Sequence, residues 1–101
     1  MAQREYLDVD PGSLHLPSTR SGGADPAKLM RQISRYGNSI QGMPPLFVIR
    51  GKDGELQLVD GVTRATRTAK LIPGQTVTVE VIDNLPKADF SQYPTVKEKL
   101  P

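Results

Sequence analysis

Leu58-Val59-Asp60-Gly61-Val62-Thr63-Arg64-Ala65-Thr66-Arg67-Thr68-Ala69-Lys70-Leu71 carries an apolar strand into Asp-Gly and out again as a helix. That passage is the layout of an anion site. A glycine at such a turn lets the backbone come close to a ligand, and the free N–H groups of the first helical turn point at whatever sits there, with the positive end of the helix dipole behind them. Arg64 and Arg67, three apart, are expected on one side of this helix, with Lys70 a further step round.

Working outward, Leu46-Phe47-Val48-Ile49-Arg50 is a strand on composition, and its unbroken apolar run predicts that both faces are at least partly covered. Gly51-Lys52-Asp53-Gly54 is a hairpin loop, and Glu55-Leu56-Gln57-Leu58-Val59 returns by strict alternation. Beyond the helix, Pro73-Gly74 stops it, and the β-branched run Thr76-Val77-Thr78-Val79-Glu80-Val81-Ile82 is a last strand with one wet face. Upstream, Asp25 is placed to cap a helix that has Pro26 at its first position, Leu29, Ile33 and Tyr36 along one face, and Gly37 as its stop. Before that helix, Glu5-Tyr6-Leu7-Asp8-Val9 alternates as a short strand closed by Asp10-Pro11-Gly12, after which Leu14 and Leu16 are candidates to continue it. The expected fold is α+β, a small mixed sheet with two main helices over residues 1–83. Residues 84–101 form a C-terminal arm, and the sequence leaves open whether it packs through Phe90 and Tyr93 or hangs free.

Composition bounds what such a domain does. At 101 residues, 37% of them apolar and with nine Gly and nine Pro, the chain fits one domain of short elements joined by many turns. Thirteen basic against eleven acidic residues leave a net charge of +2, too small by itself to argue for a nucleic-acid or membrane surface. The absence of cysteine excludes disulfides, thiolate metal sites and cysteine nucleophiles, and the single His15 cannot build a metal cluster. No stretch approaches the length of a membrane span and the start lacks a signal peptide's apolar run, so the cytoplasm is the expected compartment, with no membrane partner.

The order of elements resembles the N-terminal domain shared by ParB partition proteins and sulfiredoxin, the ParB-like nuclease domain. The likeness covers roughly residues 5–83. Pro17-Ser18-Thr19-Arg20 stands where that family has a short arginine-bearing box. Pro45-Leu46-Phe47-Val48 matches its proline-led central strand, and Val59-Asp60-Gly61-Val62-Thr63-Arg64 its Gly-x-x-Arg helix opening. The chain departs from the family at Val62 and Thr63, where ParB boxes commonly carry a polar residue and a second arginine. Having no cysteine, it cannot reduce a sulfinic acid as sulfiredoxin does.

The resemblance implies a nucleotide- or nucleic-acid-phosphate site. Gly61 and the adjoining N–H groups would hold the phosphate, Arg64 would pair with it, Arg20 would close from the opposite loop, Thr63 or Thr66 would add a hydroxyl, and Arg67 would lend charge. If the domain also has nuclease or nucleoside triphosphatase activity, Asp60 is the one carboxylate in the motif able to serve as base or to hold magnesium. Two alternatives remain open. In one, Asp60 merely caps its own helix and pairs with Arg64. In the other, the domain has kept the fold, lost the chemistry and binds a protein partner.

Overall fold

A computed structural model describes residues 4–101. Local signals account for most of its elements. The strands are β1 (Glu5–Val9), β2 (Leu46–Arg50), β3 (Leu56–Asp60) and β4 (Val77–Asn84), and the helices are α1 (Pro26–Tyr36) and α2 (Val62–Leu71). Short 3-10 turns at Pro11–Ser13, Ser18–Arg20, Lys52–Gly54, Phe90–Gln92 and Lys97–Lys99 fill the connections. Helix α1 begins at Asp25, whose carboxylate accepts from the Ala27 and Lys28 N–H groups at 2.8 and 3.3 Å, and ends at Gly37 in positive φ. The architecture is the α+β mixed sheet with two helices that the sequence predicts.

The sheet runs β1-β4-β2-β3, with β1 antiparallel to β4, β4 parallel to β2, and β2 antiparallel to β3. Leu46 and Val48 of β2, Leu58 of β3 and Val77, Val79 and Val81 of β4 turn to one face, where Ala65 of α2 packs on them. Helix α1 lies chiefly against α2. With both helices on one side, the opposite face stays open, and Tyr6, Phe47, Val59 and Ile82 are 38–47% exposed there. The expectation that both faces of β2 are at least partly covered holds: Leu46 and Val48 are fully buried on one face, and on the other Ile49 is half-buried and Phe47 38% exposed.

Leu14 and Leu16 do not extend β1. The His15 N–H bonds to the Leu56 carbonyl and the Leu58 N–H to the His15 carbonyl, both at 2.9 Å, so this segment lies parallel along the outer edge of β3. On its far side it receives the C-terminal arm, through Leu16 N–H to Pro94 O (2.8 Å) and Val96 N–H to Leu14 O (2.9 Å). Leu14, Leu16 and Val96 are almost fully buried in the common core. Each such side chain contributes about 1.5–3 kcal/mol by its burial. The arm therefore packs. Phe90 is also buried, and it closes over Gly51 so tightly that a Cβ there would meet its ring at 2.5 Å. His15 is held by the Tyr93 carbonyl at 2.7 Å and Glu55 at 3.3 Å, which tie the segment to the arm and to Glu55, just before β3.

Candidate functional site

The register of β3 prepares the turn that follows it. Phe47 pairs with Asp60 and Val48 with Leu58, so Val59 is an extra residue, a β-bulge immediately before the Asp-Gly step. Bulges bend a strand and re-aim its side chains, and here Val59 and Asp60 are both exposed. Gly61 then takes φ +104, a conformation that side chains rarely adopt, and a Cβ on it would stand 2.6 Å from Leu46 Cδ2. Glycine is required at this position on both counts.

Helix α2 starts with no side-chain cap. The first N–H to bond back is that of Ala65, to Gly61 O at 2.8 Å, so the N–H groups of Val62, Thr63 and Arg64 have no acceptor within the helix. In front of them lies an open cavity of about 430 Å³, whose wall includes Arg20, Lys28, Gln32, Asp60, Gly61, Thr63 and Arg64. Three elements converge there. The 3-10 turn at Ser18–Arg20 brings Arg20 round from the segment anchored on β3, α1 contributes Lys28 and Gln32 from successive turns, and α2 contributes its own start. Arg64 is partly ordered in advance, with its Nη1 donating to the Pro44 carbonyl at 3.0 Å and its Nη2 3.6 Å from the Asp60 carboxylate. Around unfilled helix N–H groups stand three cations, with Asp60 as the one carboxylate among the described lining residues.

The structure thus gathers Arg20, Asp60, Gly61, Thr63 and Arg64 and leaves two other expected residues out. Thr66 is buried and its hydroxyl donates to the Val62 carbonyl at 2.7 Å, a bond inside its own helix. Arg67 is 2% exposed and turned toward α1, where its Nη1 donates to the carbonyls of Gly37 (2.7 Å) and Ser39 (2.8 Å) and its guanidinium sits over the Tyr36 ring. Three residues along α2 carry the side chain about 60° round the axis, enough to move Arg67 from the cavity to the helix–helix seam. Sequence reasoning missed Lys28 and Gln32. Their i, i+4 spacing on the helix after the Arg20 loop was the available signal.

Among the described residues no group of three or more His, Cys, Asp or Glu side chains gathers to hold a metal. Of the groups at this turn, the Asp60 carboxylate is the one that would hold a magnesium ion. No helix among the described residues is long and apolar enough to cross a membrane.

No protein-family model and no curated protein matches the sequence. The fold is similar to that of protein Atu1540 from Agrobacterium tumefaciens, known from a crystal structure, with a TM-score of 0.73 over 97% of this chain at 8% identity. At that identity the likeness concerns the fold alone. The match spans 62% of the Agrobacterium protein.

Proposed function

We propose that this domain binds a phosphate-bearing ligand, a nucleotide or a nucleic-acid strand, at the turn from β3 into α2. The observation that carries the proposal is the uncapped start of α2 opening on a cavity whose other walls supply Arg20, Lys28 and Arg64. Free N–H groups and cations together bind an oxyanion, since hydrogen bonds between charged partners are roughly twice as strong as neutral ones. Gly61 admits the oxyanion to the backbone, Arg64 meets it from the helix, and Arg20 and Lys28 add charge from the Ser18–Arg20 turn and from α1. The resemblance to the ParB-like domain supports Arg20, Gly61 and Arg64 among them. If the domain hydrolyses its ligand, Asp60 is the residue that would hold a magnesium ion, which would supply charge stabilisation for the phosphate.

The test is an NMR titration of labelled protein with a nucleoside triphosphate and with a short single-stranded oligonucleotide, each with and without magnesium. Shifts confined to Arg20, Lys28 and Gly61 to Arg64, and lost in Arg64→Ala, are expected. Unchanged affinity in Arg64→Ala would sink the assignment. Hydrolysis is scored separately, as metal-dependent turnover that disappears in Asp60→Asn.

A second reading, a protein-interaction domain without chemistry, draws on the open sheet face, where Tyr6, Phe47, Val59 and Ile82 are exposed together. It predicts that substitutions on that face, and not at the turn, abolish capture of a partner.

A further inference from the structure

Arg67 is charged, 2% exposed, and makes no ion pair with any described residue. Buried charges are ordinarily paired, because removing them from water is costly. Two backbone carbonyls at the end of α1 answer part of that cost, and they explain Nη1 alone. The Nε–H is buried without any hydrogen-bond partner, and so is the Oε1 of Gln32. Burial pulls the guanidinium's pKa down from its ordinary value, against an opposing pull from Tyr36.

Both unpartnered atoms belong to residues lining one slot of about 240 Å³ between the end of α1, residues 39–44 and α2. Tyr36, Met43 and Pro44 give it apolar walls. It is smaller than the 300 Å³ or so at which drug-sized ligand sites begin, so its occupant is small. We infer that this slot binds a small organic carboxylate, taken by the Nε–Nη2 edge of Arg67 when the Gln32 carboxamide turns aside. With Nη1 committed to carbonyls, that edge presents two parallel N–H groups, the fork that matches a carboxylate. A monoanion suits the slot better than a phosphate, because the carbonyl oxygens of Gly37, Ser39 and Pro44 already surround the two guanidiniums there and oppose a second negative charge. Gln32 is half-buried on α1 and lines the same slot; in this inference its side chain is the cover over that edge, and the ligand's apolar body lies against Tyr36 and Met43. The inference does not depend on the phosphate reading of the neighbouring turn.

It is tested by titrating labelled protein with sodium propionate and then sodium benzoate, following the Arg67 Nε–H resonance and the Gln32 side-chain amide. A saturating shift of both in the millimolar range is expected, with affinity about tenfold weaker in Arg67→Lys, which keeps the charge and loses the fork. Gln32→Ala, a change at a half-buried position of α1, is expected to bind more tightly because the cover is gone. Absence of a saturating shift in the wild-type protein with either probe overturns the inference whatever the variants do. Equal affinity in Arg67→Lys overturns it as well, as does inorganic phosphate moving the Arg67 resonance as strongly as the carboxylates.

Discussion

The two helices of this domain begin in opposite ways. Helix α1 starts closed. Asp25 spends its carboxylate on the Ala27 and Lys28 N–H groups and Pro26 has no N–H to satisfy, so the first turn is complete within itself. Helix α2 starts open, with Gly61 offering no side chain and three N–H groups facing a cavity edged with cations. A capped start stabilises its own helix, whereas an uncapped one forgoes that stabilisation and leaves donors for something else. The fold holds the uncapped start in place by other means. Ala65 sits in the core, the β3 bulge aims the turn, and Leu46 presses on Gly61.

The largest effect comes from giving the open start a side chain. Gly61→Ala puts a Cβ at 2.6 Å from Leu46 Cδ2 in a backbone of φ +104, and it is expected to cost about 3 kcal/mol from strain and overpacking combined. At roughly 4–8 °C per kcal/mol for a domain of this size, thermal unfolding followed by circular dichroism should show a large drop. A change within a degree or two would mean that the turn relaxes freely and is not a rigid anion cradle.

Next in size is Arg64→Ala. Loss of a charged hydrogen bond to the ligand is expected to weaken phosphate-ligand binding by about 2 kcal/mol, roughly thirtyfold, as read by calorimetric titration. The fold should survive, since the side chain's described bonds are one to the Pro44 carbonyl and a long contact with Asp60. The matching change at the closed start has the reverse signature. Asp25→Ala should lower the melting temperature modestly and leave ligand affinity alone. The backbone N–H groups of Lys28 and Ala27 hold the Asp25 carboxyl below its ordinary pKa. Its contribution is therefore present in full above the unfolded-state carboxyl pKa and is lost as pH falls through the lower folded value. An acid melting series in which wild type and Asp25→Ala converge only at low pH is the expected outcome, and parallel curves would remove Asp25 from its role as cap.

The contrast also explains how much of the molecule the sequence disclosed. The closed start was legible because every signal for it is local, with Asp25, Pro26 and Gly37 at fixed offsets from one apolar face. The hairpin through Asp53-Gly54 and the Asp60-Gly61 passage were legible for the same reason. The position of Leu14-His15-Leu16 was not, because an apolar pair can lie on any free sheet edge, and only the finished sheet shows that β3 has the one the segment can reach before the arm closes over it. That placement delivers Arg20 to the cavity. Arg67 misled for a related reason. Spacing on α2 puts it near Arg64, but whether it faces the cavity or the seam depends on where α1 packs, and α1 is fixed by contacts distant in sequence. Lys28 and Gln32 join the site through that same packing.

The smallest expected effect on stability is also the sharpest test of what the open start is for. Asp60 is 67% exposed and stands 3.6 Å from Arg64 Nη2, and exposed pairs of that kind contribute under about 1 kcal/mol. Asp60→Asn should therefore leave thermal unfolding nearly unchanged and act on the ligand instead. If the turn is a phosphate cradle alone, removing the one negative charge from its wall strengthens binding of a nucleoside triphosphate without metal, and it frees Arg64 to turn wholly to the ligand. If the turn also carries out hydrolysis, the same change strengthens metal-free binding but abolishes magnesium-dependent turnover, because the carboxylate that would share the ion is gone. If binding instead weakens in the absence of metal, Asp60 was orienting Arg64 from the start. The open end of α2 would then be an internally paired turn, much nearer to α1's closed one than its bare N–H groups suggest.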